Sequence, residues 1–443
     1  MENSRRTVEA VTKENLCISC GICSAVCPKD CIEYQLGEDG LYKPVIHEKD
    51  CIACGECFKV CPGKGYDYPQ YYRKQQIQEP DDYFVGNIEC ALRVIAKDEE
   101  TLLNSSSGGF VTTAVKHLLK CGSYESAFLV DSDNFDHWVQ TSRFTAEDDL
   151  QKTAKSRYIP VSQKNTVEYM KKHPDEKMIL VGTGCFVRAV LNIIEKYHLK
   201  RENYLIIGLF CNYTLTYNVY DYFRQHSGLG ESADGMYFRK KELHQGAYKD
   251  RVVVKSKDGT EISMPRQDRR DVVEMFTAES CLYCLDKLNQ FADISVGDDY
   301  TKEGVKSKAG CSSVLVRTQA GQLAWESVAE LFDYNQVEVE DIIASQGIGE
   351  RKRRVKYMAL KNSSVLINPY GEEQVSAEDK KSYKEKLRKQ QIGRQSDYKK
   401  VRAEVEKSYK KRNGRIGRIK FWISNKKDGL VRRIKQFGGR EKR

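Results

Sequence analysis

The sequence predicts three parts in order: an α+β module, an α/β domain, and a basic, partly helical tail. Three observations lead there. A cysteine motif is repeated early, strand-like and helix-like segments alternate through the middle, and charge is unevenly distributed. The 443 residues are enough for two to four domains at about 100–200 residues each. Hydrophobic residues make up 40% and charged residues 31% of the chain, the balance of a globular protein in water. No run reaches the roughly 18 apolar residues that a membrane-spanning helix needs. Residues Met1–Thr12 are polar and lack the apolar core of a signal peptide. A cytoplasmic location is therefore expected.

The first module is defined by cysteine. Cys17, Cys20, Cys23, Cys27 and Pro28 recur 34 positions later as Cys51, Cys54, Cys57, Cys61 and Pro62. Sixteen cysteines could make a disulfide framework, but that belongs to small secreted chains. A C-x2-C-x2-C loop instead wraps three thiolates around one face of a 4Fe–4S cubane. In the two-cluster arrangement the other motif lends the fourth thiolate. One cluster would then take Cys17, Cys20, Cys23 and Cys61, and the other Cys51, Cys54, Cys57 and Cys27. A zinc knuckle needs neither the third cysteine nor the Cys-Pro pair. The prolines stop the following helix and aim the remote ligand; Gly21 and Gly55 suit a backbone passing close to a cluster. Segments starting at Cys31 and Tyr42 read as short strands around a Gly37–Gly40 turn. Cys31 lies off the pattern and reads as a small buried side chain. This is an α+β ferredoxin-like two-cluster domain over residues 1–72, followed by a Tyr-, Gln- and Pro-rich linker over 65–82.

The α/β domain begins near Tyr83. Val111, Ala114, Val115, Leu118 and Leu119 recur at helical spacing before Gly122 stops the pattern. Ala127–Val130, Met178–Val181 and Tyr204–Leu209 read as strands, with a helix over Arg188–Tyr197; such alternation indicates an α/β sheet. A hairpin is expected around Asp258-Gly259. Cys185 and Cys211 follow predicted strands, and Cys281 and Cys284 form a C-x2-C pair. Strand ends of an open α/β sheet gather along the edge where ligands bind, so these four thiols could hold a third cluster. Inert buried thiols, a redox-active pair or a zinc site remain alternatives from spacing alone. Cys90, Cys121 and Cys311 read as structural.

Ser105–Gly109, Gly182–Cys185, Gly208–Cys211, Cys281–Cys284 and Ala292–Asp298 together resemble the coenzyme F-420 hydrogenase/dehydrogenase beta-subunit family. They cover roughly residues 83–345 in the family's order, here fused to the two-cluster module. The resemblance implies an α/β flavoprotein domain and favours the third cluster at Cys185, Cys211, Cys281 and Cys284. Gly184 departs from the family, which usually has Pro there, and loosens the turn before Cys185. By itself Ser105–Gly109 reads as an N-cap and a turn. The resemblance makes it a flavin-binding loop in which Ser106, Ser107, Gly108 and Gly109 approach the FAD pyrophosphate at a helix start. It also brings in Arg157, as a phosphate partner, and Tyr158, stacking on a ring. No hydrolytic, metalloprotease or Walker pattern occurs, so the cofactors would carry the chemistry.

The implied function is an iron–sulfur flavoprotein oxidoreductase, passing electrons between a ferredoxin-like partner protein and a small-molecule acceptor. A non-catalytic electron-transfer subunit, or a redox accessory protein of cell-envelope polysaccharide synthesis, are the alternatives. Residues 346–375 form a closing segment. The tail, 376–443, is strongly basic: from Lys380 onward 25 Lys and Arg stand against 6 Asp and Glu. Residues 376–411 read as solvated. The amphipathic stretch 414–439 alternates basic with apolar residues such as Ile416, Trp422 and Phe437, a pattern for peripheral contact with the inner face of the cell membrane. No nucleic-acid module accompanies it.

Overall fold

The repeated cysteine loops each run into a short helix, Ile22–Ala25 and Glu56–Val60. Gly21 and Gly55 precede these helices at φ +77° and +74°, a left-handed conformation that glycine adopts without steric cost. These features come from a computed structural model that describes residues 7–65, 67–131, 138–241, 249–361 and 375–411. Between the loops, β1 (Ile32–Leu36) and β2 (Tyr42–Ile46) pair antiparallel, Ile32 opposite Ile46.

The segment expected to be a linker is packing material. Tyr68–Lys74 is a helix whose start is capped by the Asp67 carboxylate, which accepts from the Gln70 N–H at 2.9 Å. Tyr68, Tyr71 and Tyr72 are buried. The Tyr72 ring lies 4.8 Å from that of Phe291, and its hydroxyl donates to Gln290 Oε1 at 2.7 Å. Tyrosine made the segment look polar, but its ring is apolar and its hydroxyl needs only one partner.

The body is built on β3 (Cys90–Ala96), β4 (Ser126–Leu129), β5 (Ser142–Phe144), β6 (Met178–Thr183), β7 (Tyr204–Leu209), β8 (Ala233–Lys240), β9 (Arg251–Ser256), β10 (Glu261–Pro265), β11 (Ile294–Asp298), β12 (Ser312–Val316) and β13 (Phe332–Gln336). Eight of these strands form one mixed sheet in the order β13-β3-β12-β11-β7-β6-β4-β5. Its centre, β11, β7, β6 and β4, is parallel, and the flanking pairs are antiparallel. Continuous apolar runs such as Met178–Val181 fit a strand covered on both faces. Met178 and Leu180 pack into one core with the helix Gly184–Tyr197, while Ile179 and Val181 pack into another with the helix Phe110–Lys120. The expected hairpin is present as β9 and β10, Lys255 opposite Glu261, and β8 completes a second sheet.

The core containing Phe186 and Val190 also contains Leu16, Ile22 and Val60 of the cysteine module. Module and body therefore share one apolar interior. The helices over 377–394 and 398–411 also join the body, where the sequence read a solvated segment. Tyr383, Gln390, Val401 and Val405 are buried. Gln390 Nε2 donates to the Thr277 carbonyl at 2.8 Å and Lys389 pairs with Glu274 at 2.8 Å. Asn218 Nδ2 donates both to Glu38 O at 3.0 Å and to Gly393 O at 3.1 Å, tying module, body and helix together. One small cavity at this seam is lined by Asn15, Cys17 and Lys43 of the module, Thr277 and Glu279 of the body, and Gln390 and Arg394 of the helix. Long polar side chains bury their stems here, which a hydrophobic pattern does not reveal. The stretch 414–439 lies outside the described residues. Among the described residues no helix is long and apolar enough to cross a membrane.

A Cβ on Gly393 would lie 2.1 Å from the Met275 carbonyl oxygen. Gly393→Val should therefore destabilise the chain by about 1–3 kcal/mol, the usual cost of overpacking. Urea denaturation measures this; an unchanged midpoint would mean that the helix is not seated on the body.

Candidate functional site

The first group of thiols is Cys17, Cys20, Cys23 and Cys61. Cys20 lies in the electrostatic field of Cys61 and Cys17, and Cys23 in that of Cys20, Cys61 and Cys17. Burial above all pushes Cys17 up to about 11, with Asp39 adding, and Cys61 up to about 12, with the thiols of Cys17 and Cys57 adding. The Tyr34 hydroxyl stands 2.6 Å from Cys23 Sγ. Cys27, Cys51, Cys54 and Cys57 line a second cavity together with Cys31. Each motif thus sends its last cysteine to the other group, as the spacing required. Cys31 is buried as expected, its Sγ 3.4 Å from that of Cys27.

The third group is assembled at the carboxyl ends of the parallel strands. Cys211 lies in the field of Cys281, Cys185 and Cys284, and Cys281 in that of Cys284 and Cys185. The helix after β6 begins at Gly184, four residues earlier than expected, so Cys185 sits in its first turn. Burial raises the Cys185 thiol, and the helix dipole at this position works against that. A Cβ on Gly184 would meet Asp286 Oδ2 at 2.4 Å, so in this chain the departure from Pro leaves room for a buried carboxylate. The Thr214 N–H donates to Cys281 Sγ at 3.3 Å. Arg351 donates to the carbonyls of Cys211 at 2.9 Å and Cys284 at 3.3 Å, and Arg354 to that of Cys281 at 3.2 Å. Sequence reasoning missed these arginines because they sit in a run of charge that reads as a solvated face.

Each group offers four thiols. Among the described residues no three His, Cys, Asp or Glu side chains are placed to hold a single metal ion. Cysteine-only donor sets of four suit an iron–sulfur cluster, although a structural zinc can use the same set. Burial raises these thiols, so thiolates here would need a cation bound among them. Cys20 additionally feels Cys185, so the first and third groups are neighbours.

The Ser105–Gly109 loop lies at the same sheet edge. Ser107 Oγ donates to Cys311 O at 2.6 Å, Ser106 Oγ meets Ser156 Oγ at 3.0 Å, and the Gly108 N–H donates to Ser312 Oγ at 2.9 Å. A Cβ on Gly108 would strike Val94 O at 2.4 Å, so this glycine is required for packing against β3 and β12. Gly109, at φ +82°, turns the chain into the helix Phe110–Lys120. Arg157 donates to the carbonyls of Thr153 and Lys155, both at 3.3 Å, and so braces its own turn. Tyr158 packs between Tyr213, ring centroids 5.8 Å apart, and Phe238, with the Arg269 guanidinium 4.7 Å from its ring.

Residues the sequence did not single out add charge. Arg239 binds Asp298 with contacts of 2.6 and 2.9 Å and donates to Ser106 O at 2.9 Å. Burial opposes the Asp298 charge, but Arg239 outweighs it and holds the carboxyl at about 2. Lys241 donates to Ser107 O at 2.6 Å and Ser105 Oγ at 3.2 Å, and Lys155 donates to Asn104 O. Burial, reinforced by neighbouring cations, lowers Lys241 to about 7 and Lys155 to about 8. Two half-buried lysines beside a serine loop and a helix start are suited to an anion.

Three family models match the chain: 4Fe-4S dicluster domain over residues 16–64, and coenzyme F420 hydrogenase/dehydrogenase beta subunit, N-terminal part over 91–167 and C terminus over 175–343. An uncharacterized protein of Methanocaldococcus jannaschii is 24% identical over 347 residues, 73% of this chain and 89% of its own length. One subunit of the F(420)H(2) dehydrogenase of Methanosarcina mazei is 25% identical over 332 residues, 73% of this chain and 85% of its own length. A chain solved in a xenon-derivatization study of the F420-reducing NiFe hydrogenase complex from Methanosarcina barkeri overlays with TM-score 0.48 at 19% identity, covering 66% of this chain and 100% of that one.

Cys281→Ala should remove about four iron atoms per anaerobically purified chain, one cubane, and leave those of the N-terminal module. Iron and sulfide analysis decides this; unchanged iron content would dissolve the third group as a cluster site.

Proposed function

This chain belongs to the coenzyme F420 hydrogenase/dehydrogenase beta-subunit family and carries a 4Fe-4S dicluster domain at its N-terminus, and we propose that it is an oxidoreductase using three 4Fe–4S clusters and FAD. The observation that carries this reading is the continuity of the thiol groups. The first N-terminal group adjoins the Cys185 group, Cys20 lying within the electrostatic field of Cys185. From Cys211, two residues lead to Tyr213, which packs on Tyr158, beside the Ser156 that meets Ser106 of the loop.

In this reading Lys155 and Lys241 neutralise the FAD pyrophosphate, and the Arg239–Asp298 pair holds the Ser106 carbonyl and keeps the loop in shape. Bound FAD would supply the exchange of electron pairs with a small molecule, where clusters pass single electrons. Tyr158, clamped by Tyr213, Phe238 and Arg269, walls the space between loop and thiols. The name of the Methanosarcina mazei relative makes reduced coenzyme F420 the first donor to test. The purified chain should oxidise it with a viologen dye as acceptor and no partner present. Turnover only with an added redox protein would favour a non-catalytic electron-transfer subunit.

The two lysines give FAD binding a pH signature. Lys241 at about 7 and Lys155 at about 8 are largely neutral above pH 8, and an arriving dianion would recharge them. FAD binding should take up protons and weaken as pH rises through that range. Calorimetric titration of flavin-stripped chain in buffers of different ionisation enthalpy measures the uptake. Lys241→Met should lose flavin while keeping iron. Proton-neutral binding at pH 8, or full flavin in the variant, would move the phosphate site elsewhere.

A further inference from the structure

The helix Gly184–Tyr197 carries Cys185 in its first turn and then places Arg188, Asn192 and Lys196 four residues apart on one face. All three reach the N-terminal module. Arg188 Nη1 donates to Pro62 O at 3.2 Å. Asn192 Nδ2 donates to Val60 O at 3.0 Å and to the Tyr71 hydroxyl at 3.1 Å. Lys196 pairs with Glu56. Val60 and Pro62 flank Cys61, so the peptide groups on both sides of that cysteine are held by the helix that carries Cys185. Val60 also ends the helix Glu56–Val60, where carbonyls lack partners within the helix.

The two inner members of this stripe are deeply buried, Arg188 at 1% exposure and Asn192 at 7%. The Arg188 guanidinium lies 5.5 Å from the Tyr68 ring and 5.9 Å from the Tyr71 ring, and it acts electrostatically on Cys185 and Asp286. Burying an arginine costs several kcal/mol in desolvation, and an apolar side chain would fill the same space without that cost. The second thiol group has the opposite setting: Ile52, on its cavity wall, is 59% exposed.

We propose that Arg188 and Asn192 clasp Cys61 and thereby fix the cluster of Cys17, Cys20, Cys23 and Cys61 against the cluster of Cys185, Cys211, Cys281 and Cys284, making this the junction where electrons pass between module and body. The proposal rests on the three-cluster reading above. At the junction one electron leaves one cluster and enters the other; no proton moves and no bond forms or breaks. Arg188 and Asn192 are positioning residues, and the second cluster, beside the exposed Ile52, is the outer port.

The test uses the full chain, purified anaerobically, in wild-type form and as Arg188→Gln, Arg188→Lys and Asn192→Ala. Iron content, the EPR interaction between reduced clusters, and the rate at which photoreduced module clusters pass electrons to the body are recorded. Wild type should hold about twelve irons. Arg188→Gln and Asn192→Ala should keep them while the interaction weakens and transfer slows severalfold, more in Arg188→Gln, which loses a hydrogen bond from a charged donor, than in Asn192→Ala, which loses neutral ones. Arg188→Lys, which keeps the charge, should recover most of both. Should Arg188→Gln fail to fold, Asn192→Ala decides alone. Unchanged interaction and rate with twelve irons present would overturn the clasp only, whereas eight irons in wild type would overturn the three-cluster reading and the clasp with it.

Discussion

Thiols crowded into a dry interior resist ionisation, and this constraint governs the arrangement of the molecule. Burial holds Cys17 near 11, Cys61 near 12 and Cys281 near 11, so thiolates at these positions need positive charge placed among them. The protein supplies part of the compensation as donors aimed at sulfur or at the surrounding backbone. The Ser19 N–H reaches Cys17 Sγ at 3.5 Å, and Arg351 and Arg354 hold the loops of the third group. A metal core bound among the thiolates would supply the remainder and would link the folding of these loops to metal binding.

The strand order turns that constraint into a layout. With β6, β7 and β11 adjacent and parallel, their carboxyl ends deliver Cys185, Cys211 and Asp298 to one edge. The edge of an open α/β sheet is where ligands gather, and here it also receives the N-terminal module, seated through a shared apolar core. A module tethered by a flexible linker would sample many orientations. The buried tyrosines of Tyr68–Lys74 remove that freedom.

What the sequence revealed depended on range. The grouping of the N-terminal thiols was legible because each C-x2-C-x2-C loop is local and its repeat visible. The β9–β10 hairpin was legible from the Asp258-Gly259 turn. The four body cysteines needed a family resemblance, since their meeting depends on strand order. Arg188, Asn192, Arg239 and Lys241 were illegible: each looks like an ordinary polar residue until the fold shows which carbonyl or carboxylate it meets. The helix Ala377–Arg394 escaped for a different reason. Its buried face is made of Tyr383, Gln390 and Gly393, residues that carry no apolar periodicity. Gly108 was legible as a glycine that must be small, but the close neighbour turned out to be the protein's own backbone.

The helix that closes the seam over Cys17 is made late. At 5–20 residues per second, roughly 20 to 70 s separate synthesis of the first cysteine loop from that of Ala377–Arg394. Throughout that interval the N-terminal thiols have been translated while one wall of their surroundings does not yet exist. The wall supplied by Gln390 and Arg394 is thus translated last, only after the body cysteines have emerged as well.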